Sequence, residues 1–121
     1  MKGLIHKIDI PIYDLTLKVT FCFESYQKEL GYETIEAEGS TFRNGGVITI
    51  FLKSKDGEVR LNTVAHEAFH VADYIGEAVG LEFQSDGANE QYAYLVGWVT
   101  DKVFDCLSLE SEWGSSRGLI K

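Results

Sequence analysis

The sequence predicts an α+β domain in which a small sheet of three or four strands packs on two longer helices. Three observations predict it. Apolar and polar residues alternate through much of the first sixty positions, apolar residues recur at helical spacing through 62–107, and Gly- and Asp-containing turns separate the segments. A chain of 121 residues buries roughly two-thirds of the surface its unfolded form exposes, enough for one core but not for two lobes around a deep cleft. A single domain is therefore expected over 1–107. The remainder, 108–121, lacks a period and is rich in Ser and Gly, which reads as a loosely structured tail with Trp113 available to pin it.

Ile8, Ile10 and Ile12 alternate with Lys7, Asp9 and Pro11, the pattern of a half-buried strand. Pro11 has no N–H to give a ladder, so this strand belongs at a sheet edge. Leu15, Leu17, Val19 and Phe21 alternate with Thr16, Lys18 and Thr20 as a second strand. The octamer FESYQKEL, Phe23–Leu30, spaces its apolar residues for a short helix and stops at Gly31, a suitable residue just past a helix end. The stretch 34–46 contains Gly39, Gly45 and Gly46 without a period and reads as loop or irregular strand. Val47–Leu52 (VITIFL) is the most strand-prone hexamer; Asp56-Gly57 supplies a turn that tolerates positive φ, and 58–61 is expected to return as a partner strand. Asn62 or Thr63 caps a helix running to about Gly80, and Ser85 or Asp86 caps another from about Ala88 to Leu107.

Charge and composition exclude several classes of function. The 11 Lys+Arg against 19 Asp+Glu leave a net charge of −8, and the basic residues are scattered singly where a nucleic-acid footprint needs them clustered. Nucleic acid is not an expected partner. No apolar run approaches the ~18 residues of a membrane span. The N-terminal stretch carries His6, Lys7 and Asp9 where a signal peptide needs an unbroken apolar core, so the expected compartment is the cytoplasm. Cys22 and Cys106 lie far apart without CxxC spacing and are expected to be reduced, buried thiols.

The chemistry is concentrated in the segment Val64 through Tyr74, which contains HExxH. His66 and His70 stand one helical turn apart on the same face, the separation two imidazoles need to grip one zinc ion. Glu67 is displaced around the helix by about 100° and flanks the ion without being forced to ligate it, where it can take a proton from an activated water. Three His and twelve Glu in this chain make an accidental HExxH expected in roughly 0.7% of such compositions. Val64, Ala68, Val71, Ala72, Ile75 and Val79 form an apolar stripe beside the polar face of Thr63, His66, Glu67, His70, Asp73 and Glu77.

A catalytic zinc site needs a third protein ligand and one open position. Glu90, in the segment Asn89-Glu90-Gln91-Tyr92-Ala93-Tyr94, is the leading candidate. Ala93 and Gly97 share its helical face, and a small face would let two helix backbones approach and bring a short carboxylate to the metal. Asp73, His6 and Glu77 are rival ligands, Asp73 also being placed to accept a hydrogen bond from an imidazole N–H.

HEAFH followed by NEQYAY, with nineteen residues between His70 and Glu90, resembles the gluzincin group of zinc metallopeptidases, in which HExxH on one helix is completed by a glutamate on the next. The brevity of the chain, with HEAFHVADYI and AYLVGWV, brings the resemblance closer to the small single-domain versions called minigluzincins and to short metallopeptidase-like proteins of phages and prophages. The resemblance covers about 47–107 and implies a zincin-like fold, Zn2+ held by His66, His70 and Glu90, and Glu67 as general base acting on a peptide or protein substrate. It further implies that the strand bordering the cleft, Val47–Leu52, pairs with an extended substrate.

Two departures from that pattern bear on function. Thermolysin-like members carry an Asp four residues after the ligand glutamate, where this chain has Tyr94, and they carry a second lobe that supplies an oxyanion-stabilising histidine. Asn89 and Tyr94, together with Tyr92 and Tyr74, are the expected supporting or oxyanion-stabilising residues. The missing wall is expected from a homodimer or a partner protein. Two rival readings are a zincin-fold binding module without proteolysis and a structural zinc protein with a closed site.

Overall fold

The computed structural model describes residues 4–11, 13–80 and 89–114, with side chains through residue 110. Seven elements follow in chain order: β1 (Ile5–Ile10), β2 (Leu15–Thr20), α1 (Phe23–Leu30), β3 (Gly39–Asn44), β4 (Val47–Leu52), α2 (Leu61–Val79) and α3 (Glu90–Gly114). The architecture is α+β.

The four strands form one mixed sheet in the order β1-β2-β4-β3. β1 pairs antiparallel with β2, β2 runs parallel to β4, and β3 pairs antiparallel with β4. β1 occupies an edge and ends just before Pro11, where the lost N–H faces no ladder. Ile12, expected to extend this strand, lies outside the described residues.

Side-chain alternation divides the sheet into two faces. Leu15, Leu17, Val19, Ile48, Ile50 and Leu52 form one buried face and join Val64, Ala68, Val71, Ala72 and Ile75 of α2 and Leu95, Val99 and Val103 of α3 in a single core. On the other face α1 packs through Phe23 and Tyr26 against Phe51 and Phe42. The Tyr26 hydroxyl shares a 2.6 Å hydrogen bond with Ser40, which gives the buried phenol a polar partner. Gly31 closes α1 at φ 95° and Gly80 closes α2 at φ 82°, both in the left-handed region that glycine enters without a Cβ clash.

Several expectations are corrected. The stretch 34–46 contains a regular strand, β3, joined to β4 through Gly45 and Gly46. Residues 58–61 do not form a partner strand for VITIFL: Asp56 and Gly57, both at positive φ, turn the chain so that Lys55 and Glu58 form an isolated bridge, and Leu61 already begins α2. With β2 and β3 on its two sides, β4 has no edge left for a third strand. Neither Asn62 nor Thr63 caps α2; Arg60 holds the N-cap position in extended backbone and provides no side-chain cap. Val79 is 37% exposed and falls outside the core. Helical structure passes Leu107 and continues to Gly114, so 108–114 is helix and not tail. Ser85, Asp86, Ala88, the side chain of Trp113 and residues 115–121 lie outside the described residues. No described helix is long and apolar enough to cross a membrane.

Candidate metal centre

α2 lies across the β3 and β4 end of the sheet, with its Val64, Ala68, Val71, Ala72 and Ile75 stripe down. That orientation leaves His66 and His70 exposed on the opposite side. Their Nε2 atoms are 3.2 Å apart, with the rings edge to face at 4.8 Å between centroids. Two imidazole nitrogens bound tetrahedrally to one zinc ion, each at 2.0–2.1 Å, stand about 3.3 Å apart. The pair is thus spaced as a single cation requires, and the same spacing lets one ring donate a hydrogen bond to the other.

Glu67 is buried rather than solvated, at 6% exposure. It points toward β3, where the Thr41 hydroxyl donates a 2.6 Å hydrogen bond to its Oε1. Gly39 permits this approach: a Cβ there would lie 2.7 Å from Thr63 Cγ2 and 2.8 Å from Glu67 Cγ, closer than packed carbons tolerate. The side chains of Thr41 and Arg43 face α2, as a Cβ at Gly39 would, and those of Ser40 and Phe42 face α1. The sequence reading missed Gly39, Thr41 and Arg43 as site residues because it left 34–46 without a period. The available signal was Gly45-Gly46 directly before VITIFL, a pair that favours a two-residue hairpin loop.

β3 is the free edge of the sheet on the α2 side. Lys53 N–H donates to the Glu38 carbonyl at 2.8 Å, which sets the register by which alternate residues turn their main chain toward β4. The N–H and C=O groups of Gly39, Thr41 and Arg43 consequently point outward. Val47–Leu52, expected to border the cleft, lies between β2 and β3 and has no free edge. A strand added beside α2 would pair with β3, while the sheet's other edge, β1, lies at the far side.

Beside His70, Phe69 packs edge on against the imidazole at 6.4 Å and stacks on Tyr92 at 6.5 Å. Tyr92 is buried against Gly76, where a Cβ would stand 2.9 Å from Tyr92 Cζ. The close approach of α2 and α3 therefore occurs at Gly76 and Tyr92. The small face at Ala93 and Gly97 does not serve it, since a Cβ at Gly97 would meet nothing within 4 Å.

Glu90 is exposed in the first turn of α3. Tyr92, Leu95, Val99, Val103 and Cys106 form the buried row of that helix, and at 100° per residue Glu90 lies on the opposite side. Asn89 is half-buried just before α3, its carbonyl accepting from Ala93 N–H at 3.1 Å. Tyr94 is 73% exposed and lines a groove of about 750 Å³ with Ile10, Pro11, Tyr13 and Trp98, while Tyr74 packs half-buried on the core. Asp73 is exposed one turn past His70. His6 pairs with Glu110 at 2.8 Å, and Glu77 with Arg43 at 3.3 Å. The structure thus brings together His66, His70, Glu67 and Thr41. Among the described residues no set of three or more His, Cys, Asp or Glu is grouped to hold a metal ion. No protein-family model, curated protein or solved structure matches this chain.

Proposed function

We propose that this chain is a minimal zincin-like domain of gluzincin type that hydrolyses peptide bonds. The observation that carries the reading is the 3.2 Å approach of the two Nε2 atoms on a helix whose intervening Glu67 is buried. Two imidazoles at that separation suit zinc in donor type and in bite. His66 and His70 would hold the ion, and Glu90, the third donor that the resemblance to gluzincins implies, would join them from the exposed side of α3. Bound there, zinc supplies Lewis acidity toward the scissile carbonyl and a water of lowered pKa.

The protein groups do the remaining work. Glu67 takes the proton of the attacking water and delivers it to the leaving amine, with Thr41 fixing the carboxylate by its hydrogen bond. The outward N–H and C=O groups of β3 receive the substrate as an added strand. The missing second wall is supplied by another copy of the chain or by a partner protein. The cytoplasm is the proposed site of action.

Glu67→Gln is expected to retain zinc, measured by metal analysis, and to abolish turnover of a peptide that the parent cleaves. His66→Ala is expected to lose the metal. Glu90→Ala is expected to weaken zinc affinity by at least about tenfold, in line with the loss of one protein ligand. Parent-like cleavage by Glu67→Gln overturns the mechanism, and parent-like affinity in Glu90→Ala removes Glu90 from the ligand set.

The exposed position of Glu90 favours one second reading, a peptide-binding module that uses the β3 edge without hydrolysis. It predicts peptide binding that is indifferent to Glu67→Gln and to chelation.

A further inference from the structure

Arg43 is a cation for which the hydrolytic reading has assigned no use. It follows Thr41 by two positions on β3, so both side chains leave the same face of the strand about 7 Å apart. Thr41 is the residue that bonds Glu67. The Arg43 Nε–H donates to the Gly45 carbonyl at 2.9 Å, which sets the guanidinium plane, and Nη1 reaches Glu77 Oε1 at 3.3 Å. Glu77 shares the His66 and His70 face of α2 and lies about 10 Å beyond His70 along the axis, at 1.5 Å per residue. Through Glu77, Arg43 therefore reaches the border of the face that carries the histidine pair, about two or three residues of extended chain from His70.

The surroundings make a second carboxylate welcome at this point and unwelcome elsewhere on the face. Asp73 and Glu77 are exposed on the same side of α2, in a chain of net charge −8. The Arg43–Glu77 contact is long and its carboxylate side chain is 69% exposed, the kind of surface pair that contributes little and exchanges readily. A guanidinium fork held by its Nε still presents Nη donors in the planar arrangement that takes a carboxylate bidentately.

We propose that Arg43 determines specificity by binding an Asp or Glu side chain, or a terminal carboxylate, of an extended peptide paired with the outer edge of β3. Glu77 is the resting partner that the peptide carboxylate displaces. With Glu77 displaced and Asp73 repelling an acidic group elsewhere on the face, Arg43 is the attractive point, which sets the register of the peptide about two or three residues from the reacting bond. This proposal rests on the peptidase reading for its location, although binding can be measured without turnover.

The test uses labelled ten-residue peptides in which a single Glu, Gln or Lys is walked along an otherwise neutral sequence. Binding is read by fluorescence anisotropy and cleavage by mass spectrometry, both with zinc-loaded protein. At one position the Glu peptide is expected to bind about tenfold tighter than its Gln counterpart, the scale of one charge-assisted hydrogen-bonded contact. Arg43→Gln should erase that preference, Arg43→Glu should transfer it to the Lys peptide, and Glu77→Gln should tighten Glu-peptide binding about threefold by removing the competitor. Circular dichroism and melting curves establish that each variant is folded, and Arg43→Lys replaces any that is not, with a reduced preference expected. Equal binding of the Glu and Gln peptides at every position, or a preference untouched by Arg43→Gln, overturns the proposal. Acid-selective binding without cleavage of any peptide upholds Arg43 and overturns the peptidase reading, whereas cleavage without acid preference overturns the role of Arg43 alone.

Discussion

Glu67 and Cys106 are both buried and ionisable, and the fold treats them in opposite ways. Glu67 receives a hydroxyl donor from a strand 26 residues earlier in the chain, as a buried carboxylate requires. Cys106 sits among the apolar residues of the core, where burial first, and then the charges of Asp105 and Glu110, push its thiol up to about 12. The unfolded thiol titrates near its ordinary value of about 8.5. Below that pH both states hold the proton and this group's contribution is complete. As pH rises toward 12 the unfolded chain releases a proton the folded chain keeps, so the contribution is lost. Urea melts at rising alkaline pH are expected to show falling stability, less steeply in Cys106→Ala. A thiol reagent at neutral pH should label the half-buried Cys22 in the native protein and reach Cys106 only on unfolding. Native-state labelling of Cys106 as fast as Cys22 would contradict this account. Both cysteines are free, as their spacing implied, but Cys22 is half-buried and not buried.

Elements show how far local pattern reaches. Phe23–Leu30 and Val47–Leu52 coincide with α1 and β4 because their apolar spacing and bounding turn residues act within the segment. β3 was hidden because its side chains serve two different layers: Ser40 and Phe42 meet α1 while Thr41 and Arg43 meet α2, so neither face is simply apolar. Two helical glycines give a test of element packing with opposite signs. Gly76 is where α2 admits the Tyr92 ring, so Gly76→Ala is expected to destabilise by about 1–3 kcal/mol through overpacking. Gly97 faces open space, and Gly97→Ala is expected to stabilise by about 0.5–1 kcal/mol by restricting the unfolded chain and improving helix propensity. Chemical denaturation of the two variants checks both, and a shift of the same sign in both would contradict the α2–α3 contact described above.

For the molecule as a whole, metal binding and stability are linked. If the folded state alone holds zinc, free zinc at a hundredfold excess over Kd adds about 2.7 kcal/mol. Thermal melts are expected to shift upward with zinc and to return to the apo value on chelation. His66→Ala should abolish the shift and Glu67→Gln should leave it in place. A chain that unfolds outright on chelation would instead favour a structural zinc role.

The sequence by itself determined the α+β class, the edge position of the strand before Pro11, both glycine-terminated helices and the His66-Glu67-His70 turn. Each depends on neighbours within a few residues, whose geometry the backbone dictates. Only the tertiary structure decided that β3, and not β4, is the open edge beside α2, that Gly39 and Thr41 enclose Glu67, that Gly76 and not Gly97 carries the interhelical contact, and that Glu90 stands on the outer side of α3. Those outcomes depend on which segments pair across the sheet and on how each helix is rotated about its axis. Both follow from burying the whole apolar surface at once, a constraint that no single segment contains.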